Sequence, residues 1–115
     1  MIELTVNLRA QHAMGRRVTE RIQESAKAKD LATLSTSIAA FVRMYRPHEA
    51  REDTVLFPAL HKLVSRHEYD AMGEEFEKIE RKTFGGDGFD MAVDQVTEIE
   101  KKLGIYDISQ FTPAP

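Results

Sequence analysis

Apolar residues recur at intervals of three and four along most of the chain, which is the spacing of one face of an α-helix. Alternation typical of strands is nearly absent. Asp30 can act as an N-cap, a Gly-Gly-Asp-Gly stretch occupies residues 85–88, and Gly104 can act as a C-cap. The sequence therefore predicts an all-α protein with helices over about residues 3–28, from Asp30 to about residue 64, and over about 66–83 and 88–103.

The first two predicted helices each carry polar residues on an otherwise mainly apolar stripe. In the first helix the stripe consists of Leu4, Leu8, His12, Gly15, Thr19, Ile22 and Ala26. In the second helix it consists of Leu34, Ile38, Phe41, Tyr45, His48, Glu52, Val55, Ala59 and Leu63. The second stripe stays in phase across Pro47, and we expect a kink at Pro47 or Pro58 because proline removes a backbone donor and clashes with the preceding turn.

Three residues on these stripes have the chemistry of metal ligands: His12, His48 and Glu52. A carboxylate on a core face must be protonated, paired or bound to a metal ion, because a lone buried charge is costly. His48 and Glu52 are four residues apart, so they project from nearly the same side of a helix. Imidazole with carboxylate suits iron or manganese, and helical bundles often hold such sites. From the pattern alone, a hydrogen-bonded core histidine and a chance His-x-x-x-Glu pair remain open alternatives.

Composition narrows the class of protein. The 115 residues suit one domain, and the net charge of −3, with both signs interleaved, argues against a nucleic-acid surface. The chain has no cysteine, which excludes disulfides, zinc–thiolate sites and iron–sulfur clusters. No membrane span or signal peptide is visible, so we expect a cytoplasmic protein. The other two histidines, His61 and His67, are expected on the surface, and Arg16, Arg17 and Arg21 on a solvated face.

The segment Arg46-Pro-His-Glu-Ala-Arg-Glu-Asp-Thr-Val-Leu-Phe-Pro58 resembles the His-x-x-x-Glu-(acidic)-x-x-Leu-Phe-Pro signature of hemerythrin-like, cation-binding HHE domains. The segment 8–17, which contains His12, resembles the third helix of that family, and residues 103–112 resemble the tail of bacterial members. The resemblance implies a four-helix bundle around two irons, with ligands from two matching helix pairs.

This chain resembles only the C-terminal pair of such a bundle, with trailing helices and a tail over about residues 65–115. We therefore interpret residues 1–115 as a single hemerythrin-like half domain, whose metal-binding helices span about residues 3–64. The chain is then either naturally short or a fragment. A homodimer would rebuild the four-helix bundle and supply four histidines and two glutamates. The resemblance implies a di-iron centre at the dimer interface with an oxo or hydroxo bridge, and manganese or zinc are the alternative metals.

The identity of the carboxylate ligand has two candidates. Glu52 lies on the stripe with His48, whereas Asp53 is rotated about 100° away. Glu52 is favoured as the ligand. Asp53 stays a candidate because a spacing of five residues from histidine to carboxylate, as from His48 to Asp53, also occurs among hemerythrins. Tyr45, one turn before His48, is either a donor near the site or ordinary core.

The resemblance implies a non-haem di-iron protein that binds dioxygen or a related small ligand for storage, sensing or detoxification. A di-iron oxidase or peroxidase-like enzyme is the first alternative, so the sequence leaves open whether the protein is an enzyme. A metal-free helical interaction module is the second. Neither a nucleic-acid partner nor a membrane partner is expected.

Overall fold

The computed structural model describes all 115 residues and contains helices but no strands. The prediction of an all-α protein is confirmed. The helices are α1 (Ile2–Lys27), α2 (Leu31–Arg51), α3 (Phe57–Leu63), α4 (Arg66–Phe84) and α5 (Gly88–Leu103), with a π-helical segment (Glu52–Leu56) between α2 and α3 and a 3₁₀ turn (Ile108–Phe111) in the tail. None of the helices combines the length and apolar character needed to cross a membrane.

The helix ends lie where the capping residues predicted them. The Asp30 carboxylate accepts a hydrogen bond from the backbone N–H of Thr33 at 3.1 Å and so begins α2. Gly104 ends α5 in the left-handed conformation with φ 71°, which glycine adopts without steric cost. Because these ends depend on local side chains and backbone angles, the sequence pattern located them within about two residues.

The second predicted helix is continuous but changes its hydrogen-bond register. It runs unbroken through Pro47, whereas the five residues before Phe57 are π-helical. The N–H of Phe57 bonds to the carbonyl of Glu52, which is the i→i−5 pattern of a π-helix. The extra residue in this turn shifts the phase of everything after it. Beyond Glu52 the predicted stripe is partly wrong, since Leu63 is 81 % exposed whereas Ala59 is half-buried.

The contacts group the chain into two compact units, residues 1–65 and 66–115, which are described separately. That residues 1–115 form a single half domain remains a prediction. In the first unit, α2 returns alongside α1, so that Gln11 contacts His48 and Gly15 faces Met44. Four residues of this unit are buried, three of them polar: Leu8, Ser25, Ser37 and His48. Serine and glycine are small and allow the two helices to approach closely. Because Leu8 is the one buried apolar residue, the unit has almost no apolar core of its own.

The predicted inward stripe of α1 is partly wrong. Thr19 and Ala26 are exposed, whereas Gln11 and Ser25 lie at the contact with α2. On α2, Ile38 and Tyr45 from the predicted stripe are each 45 % exposed. The predicted stripe is thus divided, because Leu8, Gly15 and Phe41 are covered within the helix pair whereas Ile38 and Tyr45 are not.

In the second unit, α4 and α5 contact each other through the turn that joins them. The carboxylate of Glu80 accepts a hydrogen bond from the N–H of Phe89 at 2.9 Å. The sequence predicts that a glycine-rich stretch ends the third helix, and α4 indeed ends at Phe84, with Gly85 at φ 78°. Large apolar side chains on both helices are exposed, including Phe76 and Phe89.

Candidate metal centre

Three potential ligand atoms converge at the contact between α1 and α2. They come from His12, His48 and Glu52, and all lie within 4.8 Å of one another. The Nε2 atoms of the two histidines are 3.0 Å apart. Glu52 Oε1 lies 3.1 Å from His48 Nε2 and 3.4 Å from His12 Nε2. The three residues named from the sequence are therefore neighbours, and their binding of a metal ion remains a prediction.

Each ligand candidate is held by regular helix. His12 is near the middle of α1, His48 is in the last turn of α2, and Glu52 opens the π-helical segment one turn later. Their side chains are 53 %, 6 % and 22 % exposed, respectively. His12 was expected on a buried stripe, but in this chain it lies at the edge of the helix pair. The cluster is consequently closed on the side of His48 and open on the side of His12.

A glutamine fixes the hydrogen-bonding state of the buried histidine. Gln11 Oε1 lies 2.9 Å from His48 Nδ1. A side-chain amide oxygen accepts hydrogen bonds, so this orientation of Gln11 matches a proton on Nδ1. In neutral His48 the other ring nitrogen, Nε2, then carries a lone pair and faces the cluster.

The cluster therefore holds more acceptors than protons, which is the condition that favours a bound cation. The His48 Nε2 lone pair faces Glu52 Oε1, which also carries only lone pairs when ionised. A single proton on His12 Nε2 can form a well-aligned hydrogen bond with only one of these two acceptors. A metal ion, or a second proton on His48, would relieve the mismatch, and the imidazole and carboxylate donors suit iron, manganese or zinc.

Other candidates from the sequence lie elsewhere. Asp53 is exposed and is absent from the cluster, so the alternative carboxylate does not share the position of Glu52. His61 and His67 are exposed, as predicted, and lie outside the cluster. The Tyr45 ring stacks near His48, with ring centroids 6.4 Å apart, and is partly exposed.

A cavity of about 290 Å³ adjoins the cluster. Apart from the three ligand candidates, its lining consists of Gln11, Gly15, Arg16, Phe41, Met44 and Tyr45. Arg16 is exposed, as predicted, and it also lines this cavity because it lies one turn after His12 on the same side of α1. The cavity is large enough for a small molecule beside the three ligand atoms.

Two features of this site were missed by sequence reasoning. The role of Gln11 has no spacing signature, since one glutamine beside a histidine is common on helix surfaces. Helical spacing could not have singled it out, because Gln11 and His12 are both three or four residues from Leu8 and Gly15. The π-helical segment after Glu52 has no clear sequence signal other than Pro58, which lies just beyond it.

Comparison with known proteins identifies the family of the chain. The family model described as "Hemerythrin HHE cation binding domain" matches residues 3–103. Uncharacterized proteins of Mycobacterium bovis and Mycobacterium tuberculosis are each 48 % identical to the chain over 120 residues that include 99 % of it. The chain spans only 47 % of the length of these relatives. No solved structure matches. The match over residues 3–103 shows that the chain belongs to the hemerythrin HHE cation-binding domain family.

Proposed function

We propose that the chain is an iron-binding domain that contributes half of a di-iron site and binds dioxygen or a related small ligand. The observation that carries the proposal is the convergence of His12, His48 and Glu52 within 4.8 Å in a member of a cation-binding family. Bound iron would supply affinity for dioxygen and reversible one-electron redox chemistry. The histidine-rich donor set supports ligand binding rather than oxidative catalysis.

The residues around the cluster support a small ligand. His48 is buried, so its Nε2 atom is kept from bulk water, whereas His12 leaves one side of the cluster accessible. The adjoining cavity of about 290 Å³ is walled in part by Phe41, Met44 and Tyr45. This part of the lining is apolar and suits contact with an apolar diatomic molecule, and Arg16 and Gln11 line the rest of the cavity.

The number of ligands requires a second helix pair. One chain offers two imidazoles and one carboxylate, and a di-iron centre needs about twice that number. We propose that a second copy of the chain supplies them across a twofold axis. Support comes from α2, whose apolar Ile38, Val42 and Tyr45, on the turns that precede His48, are 45 %, 40 % and 45 % exposed. A second helix pair on this side would cover them and close the open side of the site.

Reconstitution with ferrous iron under anaerobic conditions tests the function. The visible absorption spectrum of the iron-loaded protein is expected to change when dioxygen is added. The original spectrum should return when dioxygen is removed. The matched control is the His48→Ala variant treated in the same way, which should show no change beyond that of free iron. A spectrum insensitive to dioxygen would contradict the binding role, and so would rapid multi-turnover consumption of dioxygen or peroxide with a reductant.

A further inference from the structure

Gln11 occupies an unusual place between the two long helices. It is half-buried at the contact of α1 with α2, whereas the neighbouring His12 lies at the edge of the pair. Its side-chain oxygen reaches across to His48 Nδ1 at 2.9 Å, on the side of the ring that faces away from the ligand cluster. This contact joins the two helices through the most buried of the ligand candidates.

We infer that Gln11 is a positioning residue, which holds His48 in the tautomer and orientation needed to bind the metal ion. The inference rests on the proposed metal-binding function and extends it to a residue outside the ligand set. A neutral imidazole has one proton, and the Gln11 oxygen keeps that proton on Nδ1. His48 Nε2 is then left as a lone-pair donor 3.0 Å from His12 Nε2 and 3.1 Å from Glu52 Oε1.

The surroundings give His48 little other means of fixing its ring. The side chain is 6 % exposed, so bulk water has little access to Nδ1 in place of the amide. Tyr45 stacks against the ring with an interplanar angle of 18°, which limits tilting but does not select a tautomer. Hydrogen-bond partners of metal-bound histidines commonly change metal affinity by about 10–100-fold, and Gln11 is placed to do so here.

The open space next to the Gln11 side chain determines which substitutions can test this role. The side chain lines the cavity at the cluster and also an open groove of about 560 Å³ on the opposite side of the helix contact. A Gln11→Ala variant would let water from this groove reach Nδ1. Gln11→Leu is the better test, because it preserves most of the volume and removes the acceptor. Gln11→Glu is the matched conservative variant, since it keeps the shape and an accepting oxygen.

The first experiment measures the tautomer of His48 in the metal-free protein by long-range ¹H–¹⁵N correlation spectra of the imidazole rings. The spectra are recorded at about pH 9, well above the pKa of about 6.5 of a free imidazole. We expect an Nδ1–H tautomer in the wild-type chain and in Gln11→Glu. We expect a shift toward Nε2–H in Gln11→Leu. An unchanged Nδ1–H tautomer in Gln11→Leu would overturn the inference.

The second experiment measures ferrous iron affinity by competition with a chelator. Gln11→Leu is expected to bind about 10–100-fold more weakly, and Gln11→Glu within a few-fold of the wild type. Circular dichroism spectra that match among the three proteins exclude unfolding as the cause. Equal affinity in Gln11→Leu and the wild type would overturn the inference, as would an equal loss in Gln11→Glu. If the wild-type chain binds no iron, the proposed function fails, and the tautomer experiment still decides the role of Gln11.

Discussion

His12 is the one ligand candidate on α1, and its side chain is the most exposed of the three. Its Nε2 atom lies 3.0 Å from the equivalent atom of His48, so its removal takes away one of three donors without leaving a cavity in a packed interior. We expect the His12→Ala variant to bind ferrous iron at least about 10-fold more weakly, since even outer partners have effects of that size. Chelator competition measures the loss.

The matched control for His12→Ala is His67→Ala. His67 is also exposed, but it belongs to α4 and lies outside the cluster. Its removal should leave iron affinity unchanged. Equal effects of the two variants would indicate non-specific binding to surface imidazoles and would count against the assigned ligand.

The choice between two adjacent acids gives a second prediction. Glu52 Oε1 lies within 3.4 Å of both histidines, whereas Asp53 is exposed and outside the cluster. Glu52→Gln replaces the carboxylate with a neutral amide of the same shape, and we expect iron affinity to fall at least about 10-fold. Isothermal titration calorimetry under anaerobic conditions measures the iron affinity of the variant and of the wild type. Asp53→Asn makes the same change one residue away and should have little effect, and the reverse ranking would assign the site to Asp53.

For individual residues, the sequence predicted the cluster because residue type and helical spacing are both visible in one chain. His48 and Glu52 are one turn apart on any α-helix, and only the pairing of α1 with α2 was needed to add His12. Gln11 was not predicted, because its role depends on the rotation of α1 about its axis. A polar residue one position from a ligand has no periodic signature of its own.

Among the elements, α2 depends on a local cap at its first turn. The Thr33 hydroxyl donates a hydrogen bond to the Asp30 carboxylate at 2.6 Å, and together with the Thr33 backbone N–H it holds the pKa of Asp30 below its ordinary value. A lowered carboxyl pKa means that the ionised form is favoured in the folded state. This stabilisation is present above the ordinary pKa of 3.8 and is lost as the pH falls through the lower pKa of the folded protein.

Asp30→Ala is therefore expected to lower the thermal unfolding temperature at neutral pH, and the difference from the wild type should shrink in acid. Asp30→Asn is the control, because its amide oxygen still caps the helix but does not titrate. Thermal unfolding followed by circular dichroism from about pH 7 to about pH 2 covers the transition. A difference between wild type and Asp30→Ala that stays constant over this range would contradict the assigned cap.

The elements also show where sequence patterns stop being sufficient. Helix ends at Asp30 and Gly104 follow from local chemistry, so they were predicted. The π-helical segment from Glu52 to Leu56 was not, because a shift by one residue in hydrogen-bond register costs little locally and depends on surrounding contacts. Beyond this segment the prediction of the apolar stripe failed at Leu63, which is exposed, but not at Ala59, which is half-buried.

For the whole molecule, the main feature is the apolar surface that the first unit leaves exposed. Leu8 is the one large apolar residue that is buried, whereas Ile38, Val42 and Tyr45 on α2 remain substantially exposed. The pattern of apolar residues predicted which residues belong to a core but not which neighbour covers them. A sequence contains no direct information on whether that neighbour is a second copy of the chain.

The proposed dimer predicts that Val42→Glu, which introduces a charge into this apolar surface, prevents association. Light scattering after size exclusion should give twice the 13.1 kDa chain mass for the iron-loaded wild type and the single-chain mass for the variant. The variant should also bind iron more weakly, because the second set of ligands is lost. Ala40→Glu is the control, since Ala40 is exposed and is rotated about 160° around α2 from Val42. A folded, iron-loaded wild-type monomer would contradict the dimer.

The metal content of the chain, purified without oxygen and measured by mass spectrometry, tests the central claim most directly. The proposed site predicts about one iron per chain in the wild type, which is half of a di-iron centre. His48→Ala, which removes the most buried of the three donors, should contain almost none. A wild-type chain without iron after reconstitution, or iron that remains in His48→Ala, would contradict the account.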